Sequence, residues 1–170
     1  MLIFTSCRSQ TTIKQQVDTS QSTRLGDGLQ PNYNYTVEVP QEWTIRDTTL
    51  SGIKLRFLLS PQSLNADHPM GNILIASMEG RNIDEFTTRN MNYLRLNMPG
   101  TTILDRGNIE TTFKGQWFTY TKTQNGMIRD MINYIIPING YAYMITCGSN
   151  KGTMERYRVI FDKIAKSLKN

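Results

Sequence analysis

Apolar and polar residues alternate over Tyr35-Thr36-Val37-Glu38-Val39, and the run stops at Pro40, which predicts a first strand. Trp43-Thr44-Ile45-Arg46 predicts a short second strand and residues 53–59 a third. Residues 60–71, with Pro61, Asn65, Asp67 and Pro69, read as the longest loop, and residues 72–78 as a buried strand. The period then changes from two to about 3.6. Ile83, Phe86, Asn90, Leu94 and Met98 recur at helical spacing, Asn82 and Glu85 are placed for a capping box, and Pro99-Gly100 ends the run. One apolar stripe on this helix predicts that it lies on a sheet.

Residues 101–112 predict a further strand, bent near Gly107. Asn125-Gly126 and Asn139-Gly140 each interrupt strand-like sequence, and Asn-Gly suits the positive φ angles of a two-residue hairpin loop. Residues 116–148 are therefore expected to form a three-stranded antiparallel meander. Its register follows by counting: Trp117 opposite Tyr134 opposite Ile145, Thr119 opposite Ile132 opposite Cys147, and Ile136 opposite Tyr143. These residues make one large apolar face, expected to be core. The other face carries Phe118, Asn133 and Thr146 in one row and Tyr120 beside Met131 in the next. Covered by a helix this mixed face is core; left open it is the candidate binding face.

Met154, Tyr157, Phe161, Ile164 and Leu168 step by three and four, predicting a closing helix over residues 150–168. The element order gives an α+β fold, an antiparallel β-sheet with flanking helices.

Ahead of the domain the pattern fails. Residues 8–30 hold five Gln, seven Ser or Thr and no aromatic, a composition that cannot build a core. Coil scaling gives these 23 residues a reach of roughly 25–30 Å. The apolar run Leu2-Ile3-Phe4-Thr5-Ser6 ends at Cys7, like the tail of a bacterial lipoprotein signal whose cysteine is lipidated. Residues 1–7 thus read as the remnant of such a signal, 8–31 as a flexible polar linker and 32–170 as the domain. Six residues without a basic one are too few for a whole export signal, so the lipidation reading expects the true start to lie upstream.

Composition narrows the classes. With 38% hydrophobic and 19% charged residues the 170-residue chain is neither disordered nor membrane-embedded, and two cysteines cannot make a disulfide framework. The net charge is +5, and residues 151–170, with six basic and two acidic residues, carry +4 of charge. That density suits an acidic partner or anionic headgroups, and equally the negative end of a helix. No nucleic-acid motif accompanies it.

The opening Tyr35-Thr36-Val37-Glu38-Val39-Pro40 with Trp43, the helix over 83–98, the paired hairpins and the ending Tyr157, Phe161, Ile164, Ser167 and Leu168 together resemble the PsbP/Mog1-like fold family. The similarity is strongest to small PsbP-like or DcrB-like bacterial envelope lipoproteins. It spans residues 32–170 and implies an α/β/α sandwich acting as a binding or accessory module: photosystem assembly in plants, a small-GTPase partner in yeast, envelope roles in bacteria. It brings no catalytic set.

Isolated reactive groups do not assemble into chemistry. His68, the one histidine, lies in the loop, and no nucleophile-elbow motif surrounds Ser60 or Ser63. Asp67 and His68 supply at most two of the four ligands zinc usually takes. Asp130 shares a face with Ile132 and Tyr134, where Thr121 or water is expected to satisfy it. Asp84 and Glu85 read as first-turn charges. Lys122 and Arg129 are expected to face each other across the first hairpin, an arrangement an anion, or salt and water, would relieve. Cys147 reads as a small core residue.

The expectation is a non-enzymatic accessory lipoprotein of the bacterial cell envelope. It would be membrane-anchored through Cys7, facing the periplasm or the surface, with no cofactor, no metal and no nucleic acid, and with an unidentified protein or small ligand as partner. The alternative is a cytosolic protein-interaction module. An enzyme using the His68 loop or Asp130 ranks last.

Overall fold

The structure, a computed structural model, describes residues 33–170 other than Asn65 and Asn125. Cys7 and the 8–31 linker lie outside the described residues.

Seven antiparallel strands form one sheet in the order β1-β2-β3-β7-β6-β5-β4. They are β1 (Thr44–Leu50), β2 (Ile53–Leu59), β3 (Met70–Ser77), β4 (Thr102–Ile109), β5 (Gly115–Gln124), β6 (Met127–Ile138) and β7 (Tyr141–Asn150). Helix α1 (Ile83–Asn97) packs on one face and α2 (Met154–Lys166) on the other, completing the α/β/α sandwich.

The predicted register holds: Trp117, Tyr134 and Ile145 are aligned, as are Thr119, Ile132 and Cys147, and Ile136 faces Tyr143. Asn139 and Gly140, at φ 50° and 79°, turn β6 into β7 through a two-residue loop. The sequence reading overlooked a similar turn. Ser51 and Gly52, at φ 49° and 80°, join β1 to β2, so β1 extends to Leu50, beyond the short strand expected at 43–46.

The α2 side holds the larger core. Tyr134, Ile136, Tyr143, Ile145 and Cys147 on the sheet meet Tyr157, Phe161, Ile164, Ala165 and Leu168. Helix α2 begins at Met154 rather than near 150 because β7 continues through Asn150 and Gly152, at φ 81°, reverses the chain. Residues 35–39 are not a strand of the sheet. They run along the α2 side, where Tyr35 meets Tyr143 edge to face at 5.5 Å and Thr36 pairs with Lys169. Backbone groups that lie over a side-chain layer cannot join the ladder beneath it.

Asn82 caps α1, its Oδ1 accepting from the Glu85 N–H at 2.9 Å. The buried residues of the helix are Thr87, Met91 and Leu94, with Ile83 and Phe86 partly buried beside them. Met98, expected to close the stripe, is exposed at the helix end. In β4 the irregularity falls between Ile103 and Asp105, so the bend is at Leu104 and not at Gly107. No helix among the described residues is long and apolar enough to cross a membrane.

Candidate functional site

The mixed face of the meander is not an open surface. Phe118, Tyr120, Met131 and Asn133 are buried, and Thr146 is half-buried. Met91 and Leu94 of α1 belong to the same apolar cluster as Phe118, Tyr120 and Met131, so the candidate binding face is corrected to core. The physical reason is α1 itself: its apolar stripe is covered by this half of the sheet. Burial also drives the Tyr120 hydroxyl up to about 12.

The isolated reactive residues stay isolated. His68 is an exposed loop residue at φ 46°, and its carbonyl accepts from Arg129 Nη2 at 2.5 Å. Asp67 is held by Arg156 and by the Tyr157 hydroxyl, the latter at 2.8 Å. Asp130 faces Thr121 across the strand pair as counted, yet its Oδ2 accepts from the Gly152 N–H at 2.6 Å, a partner that the strand register could not supply. Asp84 accepts from Gln116 Nε2 at 2.5 Å, tying the first turn of α1 to β5. Cys147 is a free, fully buried thiol, its pKa raised by that burial. Among the described residues no three His, Cys, Asp or Glu side chains gather as metal ligands would.

What the tertiary structure builds instead is a groove of about 710 Å³ between residues 38–40 and the last two turns of α2. Its near wall is fixed by short-range bonding. Thr36 and Lys169 exchange backbone hydrogen bonds at 2.9 and 3.0 Å. Ser167 Oγ accepts from the Glu38 N–H at 2.7 Å and donates to the Ile164 carbonyl at 2.8 Å. Beyond this anchor the chain diverges: the Pro40 carbonyl accepts from the Trp43 N–H at 2.8 Å, and the buried Trp43 packs edge to face on Phe161. Val39, Pro40 and Ile160, each half-buried, are left as an apolar floor beside the buried Ile164.

Lys163, Lys166 and Lys169 stand along the groove, all exposed. Lys169 reaches Glu38 at 3.4 Å, while Lys163 and Lys166 have no ion pair among the described residues. The lysines offset the negative end of α2, and their charge remains available to a second body. An apolar trough beside ammonium groups suits aliphatic side chains flanked by carboxylates. Sequence reasoning noticed the basic ending and the Val39-Pro40 segment separately; nothing in their spacing of more than 120 residues joined them.

No family model and no curated protein matches the chain. Solved structures do. A Pseudomonas aeruginosa protein of unknown function, PA94, described as a candidate regulator, superposes with a TM-score of 0.61 at 12% identity, over 74% of this chain and 96% of its own. The PsbP of the cyanobacterium Synechocystis sp. PCC 6803 (CyanoP) superposes at 0.59, with 11% identity, 79% of this chain and 85% of its own.

The fold is PsbP-like. LpqN of Mycobacterium tuberculosis, described as involved in cell envelope biogenesis, shares it at a TM-score of 0.57 and 13% identity, over 79% of this chain and 81% of its own. At such identities the likeness speaks for the PsbP-like sandwich and for no residue's role.

Proposed function

We propose that this protein is a non-enzymatic accessory module of the bacterial cell envelope that uses the groove at residues 38–40 and α2 to hold an acidic, aliphatic segment of a protein partner. The observation that carries this reading is the apolar trough edged by Lys163 and Lys166, two exposed cations without a partner among the described residues. Charge complementarity favours an acidic occupant, and burial of its aliphatic side chains against Val39, Pro40 and Ile160 supplies the affinity. The likeness to LpqN supports the envelope setting. Lipidation at Cys7 and the polar linker would hold the domain some tens of Å from a membrane.

A photo-crosslinker at Val39, in cells expressing the full chain, tests the groove. The expected product is one protein whose crosslinked peptide is rich in Asp or Glu beside aliphatic residues, and Lys163→Glu with Lys166→Glu removes it. Crosslinking to phospholipid alone, or to a basic peptide, overturns the reading. Mass spectrometry of the native protein tests the tether. A diacylglyceryl-modified Cys7 as the mature N-terminus is expected; an unlipidated N-terminus at Met1 sinks it.

A further inference from the structure

The α1 face of the sheet carries a second arrangement, far along β5 and β6 from the helix's first turn. The register of β5 and β6 makes Lys122 and Arg129 cross-strand partners. Their side-chain parity is that of Tyr120 and Met131, so both point to the α1 face. They and Met131 line a cleft of about 220 Å³ with Met70, Asn72 and Thr146.

Both cations are half-buried, and no carboxylate pairs with either among the described residues. Arg129 spends one nitrogen on neutral carbonyls, those of His68 at 2.5 Å and Gly148 at 3.5 Å. Asp130, next to Arg129 in the chain, points to the other face and holds the Gly152 N–H, and Asp67, next to His68, holds Arg156 and Tyr157. Burial lowers the pKa of Lys122, with the Arg129 charge adding to it, and burial alone lowers that of Arg129. Like charges drawn together out of water are unfavourable unless something anionic sits between them. Asn72 and Thr146, partners across β3 and β7, add an amide and a hydroxyl to the cleft wall.

We propose that the Lys122–Arg129 cleft is a binding site for one phosphate group, either free or at the end of a phosphomonoester. A guanidinium fork beside an ammonium point charge, with neutral donors opposite, is the donor set that a compact tetrahedral oxyanion satisfies. The cleft volume is ample for one such group.

The test is titration of the full chain with inorganic phosphate at constant ionic strength, read by calorimetry and by thermal unfolding, with chloride as the control. Saturable one-to-one binding and a rise in Tm absent with chloride are expected. Lys122→Met and Arg129→Met should each weaken phosphate binding about tenfold or more, while Lys163→Glu with Lys166→Glu leaves it unchanged. Lys122→Met removes a half-buried, unpaired cation and is expected to fold, so it decides the matter if Arg129→Met does not. Equal Tm shifts with chloride, or Lys122→Met binding phosphate as the wild type does, overturn the proposal. Vesicles of phosphatidic acid in phosphatidylcholine separate the sources: cosedimentation that inorganic phosphate competes away and Lys122→Met abolishes identifies a lipid headgroup, whereas phosphate binding without cosedimentation identifies a soluble ligand.

Discussion

The Tyr134 hydroxyl donates to Asp162 Oδ1 at 2.5 Å, joining the centre of β6 to α2 across the larger core. The same oxygen accepts from Arg158 Nε at 2.9 Å, and the Arg158 guanidinium lies 4.2 Å from the centre of the Trp117 ring. Tyr134 is fully buried, and its acidity is suppressed by burial and by the Asp162 carboxylate. Tyr134→Phe keeps the ring and deletes one hydrogen bond to a charged acceptor. A loss of ~1.5–3 kcal/mol is expected, measured as a lower denaturant midpoint at unchanged slope.

Phe118 is core and not a binding residue, which separates two readings of its truncation. Phe118→Ala should destabilise by ~3–5 kcal/mol, because the ring is fully buried beside Tyr120 under α1. Equilibrium unfolding checks it. A variant of wild-type stability would mean that this face lies open.

Gly107 is required for close approach and not for a bend. A Cβ there would fall 2.7 Å from Trp117 Cζ2, while the indole N–H donates to the Asn108 carbonyl at 3.1 Å and the ring carries Arg158 above it. Gly107→Ala should cost ~1–3 kcal/mol, and tryptophan fluorescence should report a displaced ring.

Alkaline stability provides a fourth test. Burial raises Tyr35 and Tyr120 from 10.0 to about 12 each. Between these values the unfolded chain has released protons that the folded chain retains. Their contribution is therefore complete below the unfolded value and is lost as pH rises through the folded one. Lys122 acts in the opposite sense, because its lowered pKa makes the unfolded state the one that binds more protons. Comparing Tyr120→Phe with wild type isolates the tyrosine: its denaturant midpoint should fall less steeply between about pH 10 and pH 12.

Local chemistry was legible where it is self-contained. Asn125-Gly126 predicts a loop length, the loop length predicts the register, and the register puts Lys122 opposite Arg129 without any knowledge of the fold, as the strand pair bears out. The Asn82 cap was equally readable because donor and acceptor lie three residues apart. The turn at Ser51-Gly52 was also written in the chain, as a Ser-Gly pair between strand-like runs, and was overlooked.

Other features depended on which bodies came to rest against each other. Alternation in β5 and β6 divides Phe118, Tyr120 and Met131 from Trp117, Thr119 and Ile132, but it cannot say which set a helix will cover; in the folded chain both are covered. Residues 35–39 have strand propensity and take no place in the sheet, because Tyr35 packs over Tyr143 and the backbone pairs with Lys169. The amino-acid sequence by itself determined the periods, the turns, the strand register of the meander and the basic ending of α2. The tertiary structure alone decided that Val39 and Pro40 stand across a groove from Ile160 and Lys163, and that Asn72 and Thr146 share a cleft with Lys122 and Arg129. Periodicity acts over a few residues, whereas a site is made by the meeting of surfaces whose separation in the chain carries no signal of their distance in space.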